Sequence, residues 1–255
     1  MTYLVRLNDG QSKRLQKNPF SDYVDMIDHL NLDNLFQDVT NEPSDCKYYN
    51  LNVFNDLQTK NEDLLLLSTN IASLNKNQFK LENLISQAPK SPDIIAVTET
   101  KIRNANNISN AYNIDNYEFI HNDTPTHFGG VGFYINEKLE FKTRRDLELN
   151  IQSCEDMWIE VETKNKKNTV FGVIYRHPKH NLNEFRDKFA QALEKITNEN
   201  KKMYISGDYN INLLNVEKSA PIRFYYNTLL SFACRSIIDK PTRVTSGSAT
   251  LIGHI

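Results

Sequence analysis

The feature that most constrains the fold is a series of short apolar runs, each of strand length and each closed by polar or glycine-containing residues. LLLL (Leu64–Leu67) passes into Ser68-Thr69-Asn70, and DIIAV (Asp93–Val97) into Thr98-Glu99-Thr100. GVGFYI (Gly130–Ile135), MWIEV (Met157–Val161), VFGVIY (Val170–Tyr175) and MYIS (Met203–Ser206) follow, the last ending at Gly207-Asp208. None is long enough for a membrane-spanning helix, which needs about 20 apolar residues. Runs of this length and β-branched, aromatic content are buried strands.

What lies between the runs sets their direction. Phe79, Leu81, Leu84 and Ile85 have helical spacing, which predicts a helix over Gln78–Ile85. Two strands flanking a helix predict a βαβ unit with parallel strands, the second starting after Pro92. From Tyr117–His121 to Tyr175 no helical stretch intervenes, which predicts antiparallel pairing. Gly129-Gly130 marks a turn or a close backbone approach in a chain with only 8 glycines. Leu182, Phe185, Phe189, Leu193 and Ile196 predict a second helix, capped by Asn181 or Asn183. A third is expected over Phe224–Cys234, and Pro241 blocks its continuation. The chain closes with an apolar run, Ala249–Ile252, and then Gly253-His254-Ile255.

Composition bounds the class. With 255 residues, 39% hydrophobic and 24% charged, the chain can bury a core without disulfides or metals as staples. Residues 1–60 are polar and weakly periodic and read as a loosely ordered leader before a domain over 61–255. Within the leader, Tyr23–Phe36 could form an amphipathic helix and Tyr48–Leu57 could pack on a neighbour. Cys46, Cys154 and Cys234 are far apart and lack C-x-x-C spacing, so neither a disulfide framework, a disulfide-linked partner nor a zinc knuckle is expected. The first ten residues carry Arg6 and Asp9 and no long apolar run, so no secretory signal is read. An intracellular location, nucleus or cytoplasm, follows as an expectation. The net charge is -2, from 30 basic and 32 acidic side chains. Bulk charge therefore offers nucleic acid nothing, and DNA binding is expected to be weak and metal-assisted. Basic clusters at Lys142–Arg145 and Lys164–Lys167 are candidate phosphate contacts, or simply solvated turns.

Three oxygen-bearing side chains follow apolar strands directly: Asn70, Glu99 and Asp208. Strand C-terminal ends are where sites assemble in α/β sheets. Carboxylate and amide oxygens suit a hard cation such as Mg²⁺. Asp208 belongs to GDYN (Gly207–Asn210), in which an Asp can orient or deprotonate water and an Asn amide can donate to a phosphate. Tyr175 closes VFGVIY and could reach a phosphate with its hydroxyl. Taken singly, each residue also has an ordinary structural reading: an Asx turn for Asp208 and Asn70, a solvated strand end for Glu99, a half-buried strand tyrosine for Tyr175.

Their order is more specific than any one of them. STNIASL, DIIAVTETK, GGVGFYI, GVIYRHP, GDYNINLL and PTRVTSGSATLIGHI, in this succession, resemble the endonuclease/exonuclease/phosphatase superfamily. More narrowly they are similar to the apurinic-type endonuclease domain of non-LTR (LINE-type) retrotransposons, which is associated with a reverse transcriptase. The resemblance runs from about Cys46 to the end. It implies a four-layer α/β/β/α sandwich of two packed mixed sheets. It also implies Mg²⁺- or Mn²⁺-dependent hydrolysis of a phosphodiester, with in-line attack by water that leaves a 3′-hydroxyl nick in DNA. It assigns Glu99 as principal metal ligand with Asn70 beside the metal. Tyr175 would contact the scissile phosphate, Asp208 would orient the attacking water, and Asn210 would hold the phosphate.

Two departures qualify the expected activity. Where the family carries Asp in S-A-T-L-I-x-H-I, this chain has Gly253. The family pattern continues to a strand bearing Ser-Asp-His, and this sequence stops at Ile255, so a domain lacking its last strand is expected. His254 takes the position beside the absent Asp, and His29, His121, His127, His177 and His180 match no catalytic motif. Loss of one transition-state stabiliser costs roughly 3–4 kcal/mol. Strongly impaired nicking, or a non-catalytic remnant that binds nucleic acid or protein, is therefore expected. A phosphatase-type substrate within the same superfamily is the third reading.

Overall fold

In the computed structural model, β-branched and aromatic runs pair into two five-stranded sheets packed face to face. The structure describes residues 2–7 (backbone only), 64–88, 90–103, 111–124, 128–162, 167–244 and 247–254. The first sheet contains β1 (Thr2–Leu7), β2 (Leu64–Asn70), β3 (Ile94–Thr98), β4 (Tyr117–Asn122) and β5 (Val131–Asn136), in the order β1-β2-β3-β5-β4. The second contains β6 (Phe141–Thr143), β7 (Cys154–Val161), β8 (Thr169–Arg176), β9 (Lys202–Asp208) and β12 (Gly253–His254), in the order β12-β9-β8-β7-β6. A small ribbon of β10 (Arg243–Val244) and β11 (Ala249–Thr250) precedes the last strand.

Strand parity decides the layers. Leu66, Ile94, Ala96 and Phe133 turn into the core shared with the second sheet. Their neighbours Leu67, Ile95, Val97 and Tyr134 turn the other way, onto Leu74, Leu81 and Ile85 of α1 (Leu74–Gln87). On the far side of the second sheet, Trp158 meets Phe189 of α2 (Leu182–Asn198) at a ring-centroid distance of 6.4 Å. α3 (Ala220–Ser231) packs beside α2 through Tyr225 and Phe185. The result is the expected helix–sheet–sheet–helix sandwich.

Where the sequence set a direction the pairing follows it, and the fold adds a second parallel pair, β8–β9. β2 and β3 are parallel, with α1 as crossover, and β8 and β9 are parallel with α2 between them. β4–β5 and β7–β8 are antiparallel. Asn181 caps α2, its side chain accepting from the Asn183 and Glu184 amides. Three details differ. α1 begins at Leu74, and Phe79 lies on its outer side, 57% exposed. α3 begins earlier than expected, with Pro221 in its first turn, where a missing N–H costs nothing. Thr2–Leu7, within the stretch read as a leader, pairs antiparallel with β2. The readings at Tyr23–Phe36 and Tyr48–Leu57 fall outside the described residues.

At the end of β7 remote from its start, Arg144 is buried among Glu160, Glu199 and Asp146, with Glu160 Oε2 at 2.8 Å. Lys201 joins Glu160 and Glu199 at 2.7 Å each. Burial alone would raise the Glu160 pKa, but hydrogen bonds from Lys201, Asn168 and Arg144 hold it down to about 2. Among the described residues, no helix is long and apolar enough to cross a membrane. Cys154 and Cys234 carry free thiols, and Cys46 lies outside the described residues.

Candidate functional site

The C-terminal ends of the two parallel pairs, β2–β3 and β8–β9, come together at one rim of the sandwich. Asn70 spans them. Its Nδ2 donates to Glu99 Oε1 at 2.7 Å and to Asp208 Oδ2 at 3.1 Å. Its Oδ1 accepts from the Ala72 amide at 3.0 Å, which fixes the orientation of the amide plane. Two carboxylates from different sheets thus share one donor.

Glu99 sits just past β3 in the left-handed region, at φ 54, and Lys101 follows at φ 57. Non-glycine residues rarely adopt that region without external support. The support is explicit. Glu99 O accepts from Ser73 N at 2.8 Å, and Thr100 O from Leu74 N at 2.9 Å. Thr100 N and Lys101 N donate to Gly130 O and Gly129 O at 3.2 and 3.0 Å. Lys101 Nζ lies 3.5 Å from Glu99 Oε2.

Asp208 ends β9. The preceding Gly207 has φ 152 and presses against the Ile174 carbonyl so closely that a Cβ would overlap it. Burial pushes the Asp208 carboxyl up from the usual carboxylate range. Hydrogen bonds from the Asn210 amide and Asn70 oppose that rise, and the Glu99 charge adds to it. Tyr175 lies on the same face, in register with Asp208 on one side and Glu155 on the other. Burial, then Glu99, Asp208 and Glu155, raise its phenol pKa far enough to keep it a neutral donor.

Asn210 behaves differently from expectation. Its Nδ2 donates 2.7 Å to the Arg176 carbonyl, so one N–H is committed to the protein. Arg176 returns the contact. Nη1 donates to Tyr209 O at 3.1 Å and Asn210 O at 3.4 Å, and Nη2 to His180 O at 2.5 Å. The guanidinium is 4% exposed, stacks over Phe185 and has only carbonyl partners, so burial lowers its pKa.

Of the residues expected from sequence, Asn70, Glu99 and Asp208 form one hydrogen-bonded cluster with Tyr175 beside them, and Asn210 is adjacent. Sequence reasoning missed Arg176, Glu155 and His177. Glu155 did leave a signal: in CEDMWIEV it falls on the Met157–Ile159 face, a carboxylate on an otherwise apolar stripe. Of the basic clusters, Lys142 and Arg144 are drawn toward Glu160, remote from this rim, and residues 164–166 are outside the described ones.

The endonuclease/exonuclease/phosphatase family model matches residues 48–239. The chain belongs to that family. Members of the endonuclease/exonuclease/phosphatase family generally use divalent metals. Solved structures of similar fold include the endonuclease domain of TRAS1, a telomere-specific non-LTR retrotransposon. That likeness has TM-score 0.52 and 12% identity, covering 74% of this chain and 82% of that one. The AP endonuclease LMAP of Leishmania major is similar at TM-score 0.50 and 15% identity, over 66% of each chain. The Xenopus laevis APE2 catalytic domain is similar at TM-score 0.51 and 16% identity, over 74% of this chain and 80% of that one. At such identities the likeness is one of fold. No curated protein matches the chain by sequence.

The cluster's chemistry fits one kind of metal better than others. Among the described residues no group of three or more His, Cys, Asp or Glu forms a cage. Two carboxylates suit Mg²⁺, which is held by one or two of them with its remaining positions filled by water and substrate phosphate. Asn70, whose Oδ1 is taken by the Ala72 amide, turns N–H groups to both carboxylates and sets their separation. A dication beside them would also offset what burial, and after it the Glu99 charge, costs the ionised Asp208 carboxyl.

Proposed function

We propose that this chain carries a Mg²⁺- or Mn²⁺-dependent phosphodiester hydrolase domain, a DNA-nicking endonuclease of non-LTR retrotransposon descent, extending over about 61–255. The observation that carries this reading is the Asn70 amide bonded to both Glu99 and Asp208 across the two sheets. Glu99, with Asn70 beside it, would hold the metal, which when bound supplies positive charge to the phosphate and the leaving oxygen. Asp208 orients water for in-line attack and accepts its proton. Tyr175, kept neutral, donates to a phosphate oxygen. Asn210, held by Arg176, has its second N–H for the same phosphate. DNA is the partner, bound weakly because the net charge is -2.

Activity is proposed to be low. Gly253 pairs directly with Asp208, where the family pattern carries a carboxylate. The test is relaxation of supercoiled plasmid in Mg²⁺ or Mn²⁺, with Glu99→Ala and Asp208→Asn as controls. Slow nicking that both substitutions abolish supports the reading, and nicking that survives Glu99→Ala overturns it. Salt-dependent DNA binding without metal-dependent nicking would select the non-catalytic reading. Cleavage of phosphomonoesters in preference to plasmid would select the phosphatase reading.

A further inference from the structure

Glu155 is unassigned by the reading above, yet it is buried at the same rim. Its side chain is 10% exposed, and its partners among the described residues are His177 and Thr124, neither a Lys nor an Arg. His177 Nε2 straddles the carboxylate, 3.3 Å from Oε2 and 3.4 Å from Oε1. The Thr124 hydroxyl lies 2.7 Å from Phe128 O and 3.0 Å from Glu155 Oε1, so its single proton is shared between Glu155 and the backbone just before the diglycine turn. That turn rests on the carboxylate itself. A Cβ on Gly129 would stand 2.7 Å from Oε1, and one on Gly130 would overlap the Thr100 hydroxyl. Gly129 and Gly130 have φ 89 and 83, and their carbonyls receive the Lys101 and Thr100 amides on either side of which the left-handed residues Glu99 and Lys101 stand. The turn is thus clamped between Glu155 and the backbone that aims Glu99.

We propose that Glu155, braced by His177 and Thr124, is a positioning residue that holds the Glu99 carboxylate in its metal-binding orientation through the Gly129-Gly130 turn. The proposal deepens the metal-dependent reading and rests on it only for the identity of what Glu99 binds. A buried carboxylate is costly, and its position behind a strained ligand-bearing turn gives that cost a function. Groups that orient metal ligands typically change affinity 10–100-fold when removed.

Two measurements on the full chain test it. The first is Mn²⁺ affinity by electron paramagnetic resonance, at a temperature where circular dichroism shows every variant folded. Glu155→Ala is expected to weaken Mn²⁺ roughly tenfold, while Glu155→Gln, which keeps the shape and one acceptor oxygen, stays within about twofold of the parent. Glu155→Gln losing as much as Glu155→Ala would make Glu155 a ligand and overturn the positioning role, as would unchanged affinity in Glu155→Ala. The second is hydrogen exchange at the Thr100 and Lys101 amides without metal. Exchange there is expected to accelerate about tenfold in Glu155→Ala through local opening, and unchanged exchange overturns the proposal whatever the metal result. Should Glu155→Ala not fold, Thr124→Val removes the bridging hydroxyl and is expected to move both readouts the same way. Mn²⁺ binding that persists in Glu99→Ala, with the exchange effect intact, would count against the metal assignment and leave the clamp standing.

Discussion

Asn70 and Asp208, 138 positions apart in the chain, meet at 3.1 Å across the two sheets. The same nitrogen reaches Glu99 at 2.7 Å, so one amide sets the separation of two carboxylates. Asn70→Ala removes the donor both of them share. Plasmid nicking is expected to fall about 10²-fold, the usual cost of one preorganised hydrogen-bond donor. The thermal unfolding midpoint should also fall, because the part-buried Glu99 and Asp208 carboxylates each lose a donor.

Gly129→Ala is expected to destabilise the fold by roughly 1–3 kcal/mol, from overpacking against Glu155 and from the strained backbone. Gly247→Ala is the control, since a Cβ there meets nothing within 4 Å. Urea midpoints of the two variants measure the difference.

Arg176→Met keeps an unbranched side chain but removes the guanidinium over Phe185 and strips donors from the carbonyls of Tyr209, Asn210 and His180. Each buried acceptor left alone costs about 1–3 kcal/mol. Equilibrium unfolding should register that loss, and nicking should fall further than stability predicts because the Tyr209–Asn210 backbone beside Asp208 loses its anchor. Arg176→Lys is expected to recover only part, having no planar fork.

Gly253→Asp would add a carboxylate directly opposite Asp208. Cross-strand neighbours stand about 4.5–5.5 Å apart at Cβ, so like charges would repel. The melting temperature should drop without metal and recover on addition of Mg²⁺. Differential scanning fluorimetry with a Mg²⁺ titration reads both.

Asp156 supplies a pH dependence independent of this rim. Burial raises its carboxyl to about 6, opposed by hydrogen bonds from Trp158 Nε1 and the Leu149 amide. A folded-state pKa above the unfolded one favours folding below the unfolded value of 3.8. That contribution declines as pH rises and is gone above about 6. Asp156→Asn should therefore gain relative stability on going from pH 4 to pH 8, by up to about 3 kcal/mol. Chemical denaturation at the two pH values checks the sign.

Much of this protein was legible in its sequence because the relevant physics is local. Short apolar runs closed by polar residues read as buried strands, and helical spacing between Leu64–Asn70 and Ile94–Thr98 points to the parallel crossover that the fold contains. Which of Leu66 and Leu67 faces the other sheet was not legible, because four consecutive leucines carry no alternation and the packing decides. The residues expected to carry chemistry could be found because strand C-terminal ends are marked by abrupt polarity. Helix starts were read less well. Leu74 and Ala220 lie where propensity is weak and packing against the sheet decides.

What the sequence by itself determined is therefore the main strands of the two sheets and the oxygen-bearing residues at their ends, whereas Thr2–Leu7 and Phe141–Thr143 became strands only through their pairing in the fold. Which of those residues touch was decided only by tertiary structure, since Asn70 and Asp208 belong to separate sheets and meet through packing of the inner faces. The same holds for Arg176, whose outward parity hid its hold on the Tyr209–Asn210 backbone, and for Glu155, whose meaning comes from a diglycine turn lodged against it. Contacts of that kind depend on side-chain reach across long-range pairings, and no local pattern encodes them.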